Sequence, residues 1–143
     1  MSINKIAILI KIAGIEFDKI SNAILADYGL TASQYRVLKY LYSRPNETAR
    51  VVDIERECSI THPTVLGLLD NLEKKEFIVK IVNPDDARSK VVSLAQKAKD
   101  MQVELEKVGC RLDDSLTENL SEQEKKQMLK LLQKLLKLEE SDG

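Results

Sequence analysis

The spacing of apolar residues predicts a long first helix with more than one apolar side. From Ile3 to Ile24, apolar residues recur at three- and four-residue steps, which predicts a helix over about residues 3–26. Ile8, Ile12 and Ile15 form a second apolar set on another side of that helix. Because a helix that is apolar on two sides packs against two things, we expect a second subunit to be one of them. The alternative is a helix fully buried within one chain.

Shorter helices are predicted in the middle of the chain. Gly29 can close the first helix in a left-handed conformation, and Thr31-Ala-Ser-Gln34 has the capping-box pattern that opens a second helix. That helix ends before Pro45, because the residue before a proline avoids the helical region. Thr48 is expected to cap a third helix that includes Val51, Val52, Ile54 and Cys58.

The segment that follows predicts a helix running directly into a β-hairpin. Thr61 is the expected N-cap, and apolar residues at i, i+3, i+4 and i+7 give one buried stripe of Val65, Leu68, Leu69 and Leu72. Residues 77–82 and 90–94 are β-rich and flank a turn-forming segment over 83–89. This order is typical of a winged helix-turn-helix.

Two further helices are predicted at the carboxyl end. A long amphipathic helix is expected from Ala95 to about Leu116, and Ser121 with Glu124 forms a second capping box that opens a leucine-rich helix. That stripe is too short for a free coiled coil of three or four heptads, so we expect it to complete an interface with the first helix.

Together these patterns predict a mainly α fold with a small β-hairpin wing. Residues 30–95 are expected to form the winged helix-turn-helix, and residues 1–28 and 96–143 the dimerisation helices of the same single domain.

Composition restricts the partners of such a domain. The chain has 143 residues, 43% of them apolar and 31% charged, with a formal net charge of -1. Any nucleic-acid binding must therefore come from local clusters of positive charge. We expect no membrane span, since charged residues interrupt every apolar run, and no export signal, which together predict a cytoplasmic protein.

The two cysteines are expected to be free thiols in a reducing compartment, since so sparse a pair does not form a disulfide scaffold. We expect Cys58 to be a small core residue; the alternative is a redox switch activated by Arg56. With one histidine, no nucleophile–base pair, no glycine-rich phosphate loop and no paired cysteine motif, we expect neither an enzyme nor a metal or cofactor.

The side of the fourth helix opposite the leucine stripe has the chemistry of a DNA-facing surface. Thr64 and Asn71 can bond base edges or phosphates, Leu66 can meet a thymine methyl, and Gly67 leaves room for a close approach. The expected DNA-facing residues here are His62, Pro63, Thr64, Leu66, Gly67, Asn71 and Lys74. The alternative for His62 and Thr64 is an exposed first turn without function. Asp70 opposes the hypothesis, because a carboxylate repels phosphate unless it accepts from cytosine or holds an arginine.

The hairpin supplies the remaining positive charge, through Lys80, Arg88 and Lys90. Asp86 stands beside Arg88, and a guanidinium held by a carboxylate loses less freedom on entering a narrow minor groove. Arg88 is therefore the strongest single expected contact, with Asp86 supporting it. The alternative is a solvent-exposed turn salt bridge with no function.

Four blocks in this order resemble the MarR family of transcriptional regulators. They are Leu30–Gln34, His62–Val65 with Asn71–Lys75, Asp86-Ala-Arg88, and Leu120–Glu124. The resemblance covers nearly the whole chain. It implies a two-fold dimer with intertwined first and last helices, recognition helices in successive major grooves, and wing arginines in the flanking minor grooves. It also implies that a small aromatic or phenolic effector, bound between the dimerisation and DNA-binding parts, releases DNA.

Several residues depart from the family pattern. Ala95 stands where a threonine cap is usual, Asn71 where a basic residue is common, and Glu76 where glycine is common. Fewer cations near the groove predict weaker, less salt-sensitive binding. The first helix lacks a cysteine, which argues against the peroxide-sensing branch, and the single His62 argues against the zinc-sensing branch.

The sequence thus predicts a homodimeric, sequence-specific DNA-binding regulator, most simply a repressor, that binds a pseudo-palindromic operator in double-stranded DNA. Half-sites are expected about 34–36 Å apart or a multiple of that distance. One rival is a winged-helix module that makes protein contacts, favoured by the near-neutral charge and by Asp70. Another is a constitutive DNA binder without an effector.

Overall fold

Helices form both ends of the chain, and a helix-turn-helix with a small sheet lies between them. The computed structural model describes residues 2–82 and 90–138. Its helices are α1 Ile6–Ala26, α2 Ala32–Tyr42, α3 Val51–Cys58, α4 His62–Lys74, α5 Gln96–Asp100, α6 Gln102–Glu106, α7 Val108–Leu116 and α8 Glu122–Leu135. Its strands are β1 Thr48–Arg50, β2 Ile78–Val82 and β3 Lys90–Leu94, and a short 3₁₀ turn spans Pro45–Glu47. The predicted fold class, mainly helical with a β-hairpin wing, is confirmed.

Both predicted capping boxes are present. The Thr31 hydroxyl accepts from the Gln34 amide at 3.2 Å, and the Gln34 side chain accepts from the Thr31 amide at 3.1 Å. Ser121 and Glu124 repeat the arrangement with distances of 3.1 and 2.8 Å. Gly29, at φ +69°, occupies the predicted left-handed position after α1. The boundaries of α2 and α8 therefore follow from local hydrogen bonding.

The hairpin is part of a three-stranded antiparallel sheet in the order β1-β3-β2. The prediction that Thr48 caps the third helix is wrong, because Thr48 lies in β1 opposite Ser93 and the N-cap of α3 is Arg50. Pairing with β3 satisfies the backbone groups of residues 48–50, so the helix begins only at Val51. Thr48 is β-branched, and β-branched residues favour strands, which agrees with its place in β1.

The single helix predicted from Ala95 to Leu116 is divided into α5, α6 and α7. The divisions fall at Met101, with ψ near -1°, and at Lys107, with ψ near -13°. The Lys107 amide bonds to the carbonyl of Glu104, three residues back rather than four. The backbone thus stays helical but tightens locally at these points. The spacing of apolar residues does not predict such local tightening.

The core joins the winged region to the helices on both sides of it. Within this core, the buried stripe of α4 packs with α2, α3 and β2. The largest fully buried side chains of the core are Phe77, Leu25, Leu38, Leu41, Ile54, Leu69, Leu72, Ile78, Leu105, Val37, Val65 and Val92. Leu68, on the predicted stripe, is half-buried against this core.

Much of α1 and the whole of α8 lie outside that core. Ser21, Ile24 and Leu25 are the buried residues of α1, and α8 has none. Large apolar side chains are instead exposed, among them Ile6 at 73% and Leu131 at 66%. The alternative of a first helix fully buried within one chain is therefore wrong. Among the described residues, none of the helices is both long and apolar enough to cross a bilayer.

Both cysteines are free thiols, as expected. Cys58 is only 4% exposed and belongs to the core, and burial raises the pKa of its thiol. The expected core role is confirmed. The guanidinium of Arg36, rather than that of Arg56, is the cation that favours the thiolate, and burial outweighs it.

Candidate nucleic-acid interface

Helix α4 places one face in the core and leaves the other open. Val65, Leu69 and Leu72 are buried, and the turn before the helix is closed by Ser59, whose φ is +52°. The Arg36 guanidinium donates to the Cys58 carbonyl at 3.0 Å and so fixes the end of α3 just before that turn. The orientation of α4 is therefore set by its apolar stripe and by a hydrogen bond from α2.

The open face contains the residues predicted to meet DNA. Leu66 is half-buried at the edge of this face. The exposed residues of the face are His62, Pro63, Thr64, Gly67, Asp70, Asn71 and Lys74. A Cβ added at Gly67 would meet no atom of the described chain within 4 Å. Packing within the protein thus does not require glycine there, although glycine in a helix interior is destabilising by roughly 0.5–1 kcal/mol relative to alanine.

The first turn of α4 is linked to its surroundings through polar side chains. Thr61 is the N-cap residue, but its hydroxyl donates to the Thr64 hydroxyl at 3.0 Å instead of capping the described helix. The His62 ring nitrogen Nδ1 contacts the Glu55 carboxylate of α3. His62 is therefore held at the joint of the helix-turn-helix, with its side chain 63% exposed.

Asp70 pairs with the wing. The Lys80 ammonium, from β2, contacts the Asp70 carboxylate and lies 3.7 Å from the Glu73 carboxylate. The hydrogen bond from Lys80 lowers the pKa of Asp70, and the same bond raises the pKa of Lys80. Among the described residues, a lysine of the hairpin holds Asp70, so its expected roles of holding an arginine or accepting from cytosine stay predictions.

Two other predicted lysines lie near the same carboxylate. The positive charges of Lys74 and Lys90 also lower the pKa of Asp70, though less than the bond from Lys80 does. Lys80 therefore contacts Asp70 at the junction of α4 and the wing, and the charges of Lys74 and Lys90 act on the same carboxylate. Asp86 and Arg88 lie outside the described residues, so their predicted contacts stay predictions.

Arg50, the N-cap residue of α3, forms a charged row with Asp53 and Arg56 of that helix, which the sequence interpretation did not include. Arg50 donates to Asp53 at 3.1 Å, and Arg56 lies 4.0 Å from the same carboxylate. The bond from Arg50 lowers the pKa of Asp53. The two arginine side chains are 58% and 76% exposed. Their three-residue spacing on either side of Asp53 was the available signal, since side chains three apart at a helix start can pair.

A trough lies where α1 meets α2 and α7. Its volume is about 370 Å³, and its lining includes Phe17, Tyr35, Val108 and Leu112, with Arg36 and Lys39 on one side. Within the described residues, no three His, Cys, Asp or Glu side chains group as metal ligands.

Comparison with known proteins identifies this arrangement. A sequence profile of the MarR family matches residues 28–89, which span the helix-turn-helix and hairpin. The reduced form of MarR from E. coli superimposes with a TM-score of 0.82 at 26% identity, over 95% of this chain and 99% of that one. Residues 28–89 of this chain thus match the MarR family, and the fold of nearly the whole chain matches that of MarR.

Structures of MarR-family proteins with DNA show the same fold. The S. aureus MepR–DNA complex matches with a TM-score of 0.76 at 27% identity, covering 94% of this chain and 98% of that one. A mutant E. coli MarR complexed with operator DNA matches with a TM-score of 0.75 at 26% identity, covering 91% and 92%. The chain thus has the winged-helix fold of these MarR-family proteins, and the similarity supports a DNA-binding transcription regulator.

Proposed function

We propose that this protein is a homodimeric repressor of the MarR family that binds a pseudo-palindromic operator through α4 and the wing. The observation that supports this most is the open face of α4, where small and polar residues surround Gly67 without any packing need for glycine. A helix surface of this kind allows the backbone to lie deep in a major groove. The DNA complexes of MepR and MarR, which share the fold, support the same role.

Each surface residue then has a defined role. Thr64 and Asn71 bond base edges, Leu66 and Pro63 make apolar contacts, and His62 and Lys74 meet phosphates. In the wing, Arg88 enters the minor groove, supported by Asp86, and Lys90 meets the backbone. Arg50 and Arg56 add phosphate contacts, since the first helix of a helix-turn-helix crosses the DNA backbone.

Dimerisation is supported by the exposed apolar faces of α1 and α8. Monomeric proteins seldom expose contiguous apolar patches larger than a few hundred Å², and such patches mark interaction sites. The exposed side chains of α1 and α8 include Ile6, Ile15, Phe17, Leu131, Leu135 and Leu136. A dimer formed by these helices would hold two winged regions in a two-fold arrangement that suits a pseudo-palindrome.

Relief of repression is proposed to occur through the trough between α1, α2 and α7. Its volume falls in the range of ligand sites, about 300–1,000 Å³, and its aromatic and aliphatic lining beside two cations suits a small aromatic or phenolic molecule. A ligand that binds the folded protein raises its melting temperature. Thermal denaturation with a panel of phenols and hydroxybenzoates tests this, and ligands that stabilise without releasing operator DNA would favour a constitutive binder.

The rival role is a winged-helix module that makes protein contacts. Asp70 favoured this role, because a carboxylate opposes DNA binding. That carboxylate is paired with Lys80, which reduces its repulsion of phosphate. The salt dependence of DNA binding separates the two roles, because phosphate contacts release counterions and a protein-docking surface has no such requirement.

Operator titrations with point variants test the proposed surface. Asn71→Ala and Arg88→Ala should each weaken binding to a selected operator, by about 1–3 kcal/mol if the side chain bonds a base. Lys125→Met, in α8, is the control and should bind like wild type. Unchanged affinity in both test variants at fixed salt would remove α4 and the wing from the mechanism.

A further inference from the structure

Lys80 joins the two parts of the proposed DNA-binding surface. It belongs to β2, yet its ammonium contacts Asp70 and lies 3.7 Å from Glu73, and both carboxylates belong to α4. Asp70 and Glu73 are three residues apart and so lie on one face of the helix. A single side chain of the wing strand therefore bridges one turn of the recognition helix.

Both ends of the Lys80 side chain are fixed. In the backbone, Lys80 lies opposite Val92, which is fully buried, and Ile78 two residues earlier is 1% exposed. At the other end, the ammonium is held by carboxylates, and the side chain is only 28% exposed, against 58% for Asp70 and 47% for Glu73. Lys80 is therefore the more enclosed member of this cluster.

The charges around Lys80 oppose a direct phosphate contact. Its one positive charge faces two carboxylates, so an approaching phosphate would meet Asp70 and Glu73 on the same helix turn. Lys74 and Lys90 act on Asp70 less strongly, and their side chains are exposed. These two lysines are better placed than Lys80 to exchange a counterion for a phosphate.

We propose that Lys80 is a positioning residue, which fixes the wing against α4 through Asp70 and Glu73 so that both reach one duplex, and that it makes no phosphate contact. This inference rests on the proposed DNA binding. It also gives Asp70 a favourable role in binding, although an acidic side chain near DNA would by itself weaken the complex.

The two roles predict opposite results for Asp70. If Lys80 bonds a phosphate and Asp70 merely competes for it, Asp70→Asn should tighten operator binding. If the pair positions the wing, Asp70→Asn and Lys80→Met should each weaken binding by about threefold to tenfold, as expected for an exposed, coupled pair. The double variant should then be no weaker than the single variants, and Lys80→Arg should retain wild-type affinity.

Salt dependence gives a second readout that a general loss of structure would not imitate. A lysine that neutralises a phosphate contributes about 0.9 to the slope of log affinity against log salt. We expect Lys80→Met to leave that slope unchanged, whereas Lys74→Met or Lys90→Met should reduce it. Lys125→Met is a matched control, since Lys125 is also ion-paired and has a similar side-chain exposure of 26%.

The experiment is a set of operator titrations with the full chain at four salt concentrations, with sedimentation used to check the assembly of each variant. Weaker binding for Asp70→Asn at an unchanged slope supports the positioning role. Tighter binding for Asp70→Asn, or a slope lowered by about 0.9 in Lys80→Met, would overturn it while leaving the proposed function intact. Failure of the wild-type protein to bind any duplex would overturn the proposed function itself, and this inference with it.

Discussion

The Tyr35 hydroxyl donates a hydrogen bond to the carbonyl oxygen of Leu105 over 3.0 Å, which ties α2 to α6. Seven residues later on the same helix, the Tyr42 hydroxyl donates to the carbonyl oxygen of Ala98 in α5. Residues seven apart lie on one side of a helix, so α2 is fixed at two points to the helices that follow the wing. The winged region and the proposed dimerisation helices are joined through these phenols.

These phenols predict a loss of stability at alkaline pH. Burial, with Glu47, Glu106 and Tyr35 adding to it, raises the pKa of Tyr42 to about 12, and burial with Glu106 raises the pKa of Tyr35. Because the folded-state pKa exceeds the unfolded value near 10, this stabilisation is complete below about pH 10 and is lost as pH rises towards 12. Urea unfolding from pH 8 to 11.5 should show a smaller decline in the Tyr35→Phe, Tyr42→Phe double variant. An identical decline in both proteins would contradict the assignment.

The N-caps of α2 and α4 should differ in their effect on stability. Thr31→Ala removes the capping box of α2 and should lower the free energy of unfolding by about 1 kcal/mol. Thr61→Ala should have a smaller effect, because the Thr61 hydroxyl bonds Thr64 and makes no cap bond to the described helix. Chemical denaturation of the two variants side by side measures the difference. Equal losses would show that the hydrogen bonds of the capping box add nothing.

Glu76 is held in a conformation that favours glycine. Its φ is +67°, directly after the end of α4, and a side chain in the left-handed region is strained by roughly 1–2 kcal/mol. We expect Glu76→Gly to stabilise the protein by about 1 kcal/mol or less, because glycine also gains freedom in the unfolded chain. At Gly29, which has a similar φ of +69°, the opposite kind of change, Gly29→Ala, should destabilise the protein. Thermal melts of both variants test this, and a lower melting temperature for Glu76→Gly would be the contrary result.

Gly67 should separate stability from function. Alanine at this helix position meets no described atom within 4 Å and should stabilise α4 by about 0.5–1 kcal/mol. If the α4 backbone lies close to the duplex, the added methyl should weaken operator binding at the same time. A melting curve and an operator titration on Gly67→Ala provide both values. A variant that is more stable and binds as tightly as wild type would place the duplex further from α4.

Local chemistry made most of the fold predictable from sequence. The two capping boxes depend on residues three apart, and β3 was predicted over 90–94, as observed for Lys90–Leu94. The apolar stripe of α4 also follows from a short repeat, and Val65, Leu69 and Leu72 are buried as expected. Each of these features is encoded within a few consecutive residues.

The features that sequence did not predict depend on distant partners. Strand β1 exists because Thr48 pairs with Ser93, and three residues are too few to show a strand period. The Lys80–Asp70 pair joins residues ten apart on different elements, so the hairpin lysine was expected to face DNA instead. The charged row of Arg50, Asp53 and Arg56 was overlooked because no apolar periodicity marks it.

The most direct test of the central claim is selection of bound duplexes from a random DNA pool with the purified full chain, with sedimentation of the same sample. We predict a dimer that enriches a two-fold symmetric sequence, with half-sites about 10 base pairs, or a multiple of one helical turn, apart. A monomer that enriches no sequence at low salt would contradict the account.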